Sequence, residues 1–163
     1  MVLGPPGTGK STFARQLGER LDRPVIHLDA EYWQPGWEPT PGDAWERRHA
    51  ELIAGEEWIV DGNYGSTLER RADAADAAII LEVPRHVAVY RIVRRWLLDR
   101  GESRPDRAAG CSGRLTLEFV RRTWRYPVGR LPEIERTLAQ REHLAVVRLA
   151  SSEDRREFLD SLG

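Results

Sequence analysis

The run Gly4-Pro5-Pro6-Gly7-Thr8-Gly9-Lys10-Ser11 constrains this chain more than any other feature. It meets every fixed position of the pattern G-x-x-x-x-G-K-[ST]. The glycines let backbone N–H groups approach an anion without a Cβ in the way. The loop opens a helical stretch, and a helix N-terminus favours negative charge. An apolar run, Met1-Val2-Leu3, precedes the loop, and residues 10–21 carry Phe13, Leu17 and Leu21 at helical spacing. The pattern therefore predicts a phosphate-binding loop between a strand and a helix. Gly4, Gly7, Thr8, Gly9, Lys10, Ser11 and Thr12 are the candidate contacts to a nucleoside triphosphate. Lys10 is expected to reach the β- and γ-phosphates, and Ser11 to hold Mg²⁺. A glycine-rich turn without a ligand is the alternative.

The basic residues sharpen the point. The sequence holds 24 arginines and one lysine, and that lysine is Lys10. A phosphate loop needs a compact ammonium on a flexible stem, where the planar arginine fork does not substitute.

Along the chain, apolar strand-like runs alternate with helical periodicity. Val25 to Leu28, Trp58 to Val60, Ala77 to Val83 and Leu144 to Leu149 read as strands. Helices are expected near 43–55, 85–100, 115–125 and 131–141, and from Ser152 onward. The segment Tyr32–Gly42 reads as a loop rich in Trp, Pro and Gly, and 101–113 as a second loop. Alternating strands and helices imply an α/β fold with a parallel sheet. Near-continuous apolar strands such as Ala78-Ile79-Ile80-Leu81 agree, since parallel strands are buried on both faces. The first strand has only three residues before the loop, fewer than the average of about 5–6. A shortened strand, or a start placed too late, is expected there.

Two carboxylates fall at predicted strand ends, the edge where open parallel sheets bind ligands. Asp61 follows Trp58-Ile59-Val60 and is a candidate to hold Mg²⁺, directly or through water. Asp29 ends the next predicted strand after the phosphate loop and is a candidate to accept or orient an acceptor proton. A cap or turn aspartate is the alternative for each. Asn63 and Tyr64 leave the second strand in a tight turn, where they either contact an acceptor or make the turn. Tyr32, Trp33, Trp37 and Trp45 surround the loop after Asp29. Their rings either stack on a base or pack the loop, with Tyr32 and Trp33 favoured for the site.

Arg91, Arg94, Arg95, Arg100, Arg104, Arg107, Arg114, Arg121, Arg122 and Arg125 cluster in one region. Cationic side chains stabilise the charge of a transferring phosphoryl group. Arg91 and Arg95, four apart, share a helix face. A loop around 100–113 is placed to fold over a nucleotide. Solvated helix charge accounts for at least half of these arginines. His27, His49, His86 and His143 show no metal-ligand spacing, and Cys111 has no evident base partner. One cysteine excludes an internal disulfide.

The formal net charge of −1 sets up no bulk field toward nucleic acid or membrane. No apolar run approaches the roughly 20 residues of a membrane helix, and no signal peptide is visible. A cytoplasmic protein is expected, monomer or homodimer.

Taken together, Gly4 to Phe13, His27-Leu28-Asp29 with Tyr32-Trp33 and Gly36-Trp37, and Trp58 to Tyr64 resemble the adenylate-kinase-like proteins called DNA topology modulation proteins (FlaR-related). Arg71 ahead of Ala75-Asp76, Val83-Pro84-Arg85, Arg91 with Arg94-Arg95, Arg104-Pro105-Asp106, Phe119 and Arg125-Tyr126-Pro127 extend the resemblance over most of the chain. It implies a P-loop NTPase fold of the nucleoside-monophosphate-kinase type. That fold is a three-layer α/β/α sandwich around a five-stranded parallel sheet in the order 2-3-1-4-5. It implies one domain over 1–163 with a lid insertion at about 91–126. Arg91 and Arg95 would contact ATP phosphates, Arg71 would join the acceptor site, and Ala150-Ser151-Ser152 would lie near the base. Adenylate kinases carry Gly-Phe-Pro-Arg after the Asp-Gly step. Gly62-Asn63-Tyr64 stands here instead, so AMP is not the expected acceptor. Gly113 replaces an acidic residue common in the family.

The expected function is transfer of the γ-phosphoryl group of Mg²⁺–ATP to a small acceptor, a nucleoside or nucleotide first. The alternative is a nucleotide-dependent regulatory or DNA-associated protein with little phosphotransferase activity.

Overall fold

The computed structural model describes residues 1–98, 108, 110, 111 and 115–162. The expected lid residues Arg100, Arg104, Pro105, Asp106, Arg107, Gly113 and Arg114 lie outside them. Five strands form one sheet: β1 (Val2–Leu3), β2 (Val25–His27), β5 (Ile59–Asp61), β6 (Ala77–Leu81) and β7 (Ala145–Leu149). Their order is β2-β5-β1-β6-β7, and every pairing is parallel. Counting only these strands, the order is 2-3-1-4-5, as the resemblance implies. β1 is two residues long, sits at the centre of the sheet and is fully buried.

Successive strand residues face opposite sides, as strand geometry requires. Val2, Ile59, Ile79, Leu81 and Leu149 pack against Phe13, Ala14 and Leu17 of α1 (Lys10–Leu21) and Leu159 of α8 (Ser152–Asp160). Leu3, Val60, Ala78 and Ile80 pack on the other side. There they meet Trp45 of α3 (Gly42–Leu52), Leu68 and Ala72 of α4 (Leu68–Ala74), and Ile134 and Leu138 of α7 (Arg130–Ala139). Two apolar layers thus enclose one sheet. Two further helices, α5 (Arg85–Leu98) and α6 (Leu117–Arg125), pack on each other. An exposed capping box starts α8, with Ser151 and Asp154 each accepting from the other's backbone N–H.

Three segments depart from the sequence expectation. The chain turns directly from β2 into α2 (Leu28–Tyr32), so Asp29 stands in the first turn of a helix rather than at a strand end. The expected loop contains a hairpin, β3 (Trp33–Gln34) with β4 (Glu38–Pro39). Its turn is built by Pro35-Gly36, with Gly36 at φ +83° and Trp37 N–H donating to Gln34 O at 3.1 Å. Pro followed by Gly is the signature of that turn. A 3₁₀ turn (Gly65–Thr67) and α4 follow β5, where no element was expected.

Candidate active site

The phosphate loop runs from β1 into α1. Gly9 occupies the N-cap with φ +89°, no side chain caps the helix, and its first turn holds no acidic residue. The first N–H groups of a helix lack intrahelical partners, so this end of α1 presents donors to an anion. Gly7, at φ +82°, has no room for a side chain, since a Cβ there would stand 2.6 Å from Ala88 O. Thr8 is buried and its hydroxyl donates to Pro5 O at 3.0 Å, so its side chain serves the loop itself. Lys10 Nζ also donates to Pro5 O, at 3.1 Å. Ser11 is half-buried, and Thr12 is exposed.

Asp61 lies beside this loop because of strand register. β5 pairs with β1 at Val2↔Asp61 and with β2 at His27↔Asp61. The cross-strand neighbours His27 Nδ1 and Asp61 Oδ2 are 3.0 Å apart. Burial pushes the Asp61 carboxyl up, but the His27 hydrogen bond, the Lys10 charge and the nearby Ser11 hydroxyl together hold it below its usual value. Oδ1 of Asp61 is buried and, among the described residues, makes no hydrogen bond of ordinary geometry. A buried carboxylate oxygen without a partner, next to a serine hydroxyl and an ammonium, fits a hard cation with oxygen ligands. Ser11 and Asp61 are the residues that would hold Mg²⁺. Among the described residues no group of three or more His, Cys, Asp or Glu side chains has metal-site geometry.

The turn after β5 is held from two sides. Gly62 N–H donates to Val2 O at 3.2 Å. The Asn63 side chain then pairs with the Gly4 backbone, Nδ2 donating to Gly4 O at 2.9 Å and Oδ1 accepting from Gly4 N–H at 3.1 Å. Tyr126 O–H donates to the same Oδ1 at 3.1 Å. Asn63 is thus directed at the phosphate loop. Tyr64 O–H donates to Asp29 Oδ1 at 2.5 Å. Burial first, and then the Asp29 charge, push the Tyr64 hydroxyl far above its usual range, so it stays a donor.

Arg71 lies beneath the turn. It is fully buried, and its guanidinium donates to Asn63 O at 2.7 Å, to Gly62 O and Tyr64 O at 3.4 Å each, and to Thr67 Oγ1 at 2.9 Å. Its remaining contact is His49 Nε2 at 3.2 Å, which accepts from the guanidinium. Burial pulls the guanidinium down to about 9, which leaves it charged at neutral pH. In this structure the Arg71 guanidinium is directed at the turn's own carbonyls, at Thr67 and at His49.

The aromatic residues form one cluster. Tyr32 meets Trp33, Trp45 and Tyr64 with ring centroids 4.9, 5.1 and 4.8 Å apart, and Trp33 meets Trp37 at 5.5 Å. Trp45 is buried, whereas Tyr32, Trp33, Trp37 and Tyr64 are half-buried.

On the other side of the phosphate loop, a cavity of about 480 Å³ opens between α1 and α8, lined by Thr8, Thr12, Gln16, Arg91, Ser152 and Arg155 among others. Arg91 reaches Gly7 O at 3.5 Å, and Arg95 is exposed one turn further along α5. Sequence reasoning missed Arg155. It donates to Thr8 O at 2.7 Å and to Glu82 O at 2.9 Å, tying α8 to the loop and to the end of β6. No spacing in the sequence marks this residue, because its partners are backbone carbonyls more than 70 positions away.

No family model matches the sequence, and no curated protein matches it. Among solved structures, a gluconokinase from Sinorhizobium meliloti 1021 is similar, at 20% identity and a TM-score of 0.53, over 99% of this chain and 89% of that one. At that identity the likeness speaks to the fold, and with the parallel sheet in the order 2-3-1-4-5 it makes this chain a P-loop NTPase fold.

Proposed function

We propose that this protein is a phosphotransferase that moves the γ-phosphoryl group of Mg²⁺–ATP to a small acceptor. The observation that carries the reading is the convergence at one sheet edge of the uncapped α1 N-terminus, Lys10, Ser11 with the buried Asp61, and the Asp29–Tyr64 pair. A bound Mg²⁺ would supply positive charge against the charge that develops on the transferring group. The chain's own groups do the rest. The loop's N–H donors and Lys10 bind the phosphates, Ser11 and Asp61 hold the cation, and Asp29 takes or orients the acceptor proton. Arg91 and Arg95 supply positive charge from α5.

The cavity between α1 and α8 supports a nucleoside site next to the loop. A lid at about 91–126, within a single domain over 1–163, belongs to the same proposal. Tyr32, Trp33, Asn63 and Tyr64 belong to the acceptor side, with Asn63 and Arg71 acting through the turn that they hold. A nucleoside or nucleotide is the first acceptor class. The likeness to a gluconokinase adds sugar acids to those worth testing. No described helix is long and apolar enough to cross a membrane. Action in the cytoplasm, as monomer or homodimer, is part of the proposal.

The test is ADP release from Mg²⁺–ATP, alone and with nucleosides, nucleoside monophosphates, sugars and sugar acids. Acceptor-dependent release supports a kinase. Tight ATP binding with no acceptor-dependent release favours a nucleotide-dependent switch or a DNA-associated protein instead.

A further inference from the structure

We infer that the acceptor reacts through a carbon-bound hydroxyl, carried on a ring or chain with an apolar C–H face, and not through a phosphate oxygen. The inference rests on the phosphotransferase reading above and names the substrate class of that same site.

Three observations on the acceptor side carry it. The first is the Asp29–Tyr64 pair, whose 2.5 Å hydrogen bond runs from the phenol to the carboxylate. A hydroxyl must lose a proton as its oxygen attacks phosphorus, so a positioned carboxylate has a task there. A phosphomonoester arrives already ionised. It needs no base, and a carboxylate at short range repels it by Coulomb's law.

The second is Arg71. An acceptor phosphate is normally gripped by arginine forks. Arg71 is the arginine that the resemblance puts at the acceptor site, yet it is fully buried and its donors go to Gly62, Asn63 and Tyr64 carbonyls and to Thr67 and His49. Its charge fixes the turn that carries Tyr64. Arg130, packed against Gly65, is itself paired with Glu133 at 2.8 Å.

The third is the wall beside the pair. Tyr32, Trp33, Trp37 and Tyr64 are each half-buried, and ring contacts link them in the chain Tyr64–Tyr32–Trp33–Trp37. Aromatic faces bind apolar ring faces by dispersion and stacking, which suits a furanose, a pyranose or a base bearing a sugar.

The step balances as follows. A bond forms between the acceptor oxygen and the γ-phosphorus. The bond from that phosphorus to the β,γ-bridging oxygen breaks, and its electron pair leaves with ADP. The hydroxyl proton passes to the Asp29 carboxylate.

The product linkage decides the matter. The full-length protein is incubated with Mg²⁺–ATP and adenosine, cytidine, glucose, gluconate or myo-inositol, and in parallel with AMP, CMP, dTMP or glucose 6-phosphate. Phosphorus NMR then distinguishes a C–O–P ester from a P–O–P anhydride. The expected result is an ester with one hydroxyl compound, falling at least about 100-fold in Asp29→Asn and about 10-fold in Tyr64→Phe, with ATP affinity within about 3-fold of wild type in both. An anhydride as the main product, or an ester that forms equally fast in Asp29→Asn, overturns the inference while leaving a kinase standing. Absence of any phosphorylated product overturns the phosphotransferase reading beneath it.

Discussion

Asn63 and Gly4 form a closed two-bond pair: the side-chain amide of one donates to and accepts from the backbone of the other, at 2.9 and 3.1 Å. The pair extends the β1–β5 ladder past Val2↔Asp61, using a side chain where the main chains diverge. It fixes where the phosphate loop leaves the sheet, and it ties that point to the turn bearing Tyr64. An amide suits the role because it is both donor and acceptor.

Asn63→Asp keeps the shape and loses the donor. A charged oxygen then faces Gly4 O. The expected cost is about 1–3 kcal/mol of stability, the range for a buried polar group left unpaired. ATP affinity should fall as well, since the loop's starting point is released. Tyr126→Phe removes only the outer hydrogen bond to Oδ1 and should cost about 1 kcal/mol. Chemical denaturation with and without Mg²⁺–ATP checks both. Unchanged stability and unchanged ATP affinity in Asn63→Asp would show that the pair is incidental.

His49 predicts a pH dependence. Burial, then the charges of Arg71 and Arg70, lower its imidazole from 6.5 to about 4. Between those values the unfolded chain binds a proton that the folded chain does not. Stability therefore falls as pH falls through that window, by at most about 3 kcal/mol. His49→Gln should flatten the profile between pH 6.5 and 4 while Arg71 keeps an acceptor. Denaturation midpoints at half-unit pH steps measure this. A slope identical in wild type and His49→Gln would remove His49 as its source.

Arg155 should matter for the nucleotide rather than for the acceptor. Arg155→Ala leaves Thr8 O and Glu82 O without their donor and loosens the wall of the cavity beside the loop. The expected effect is a rise of about 10-fold in KM for ATP, with KM for the acceptor little changed. Steady-state kinetics with each substrate varied in turn reads the split. A change confined to acceptor KM would place the cavity on the wrong side of the reaction.

Much of the fold was legible because its signals are local. The phosphate loop is a contiguous pattern, and Ala78-Ile79-Ile80-Leu81 announces a strand buried on both faces. The hairpin was readable in principle from Pro35-Gly36, but two-residue strands carry too little alternation to register. At the candidate site, sequence reasoning named Asp29, Asp61, Asn63, Tyr64 and Arg71, and the structure brings all five to one sheet edge. It did not foresee their directions. Whether Arg71 faces a ligand or the carbonyls of its own turn depends on where Gly62, Asn63 and Tyr64 point, and tertiary packing sets that. Arg155 was invisible for the same reason, since a backbone carbonyl carries no residue identity.

The most direct measurement is the initial rate of acceptor-dependent ADP release from Mg²⁺–ATP by wild type, Lys10→Ala and Asp29→Asn, each alongside its ATP affinity. The account predicts turnover in wild type and loss of turnover in Lys10→Ala with the fold intact. It predicts a drop of at least about 100-fold in Asp29→Asn with ATP affinity nearly unchanged. Turnover that survives in Lys10→Ala, or ATP binding lost in step with activity in Asp29→Asn, would contradict it.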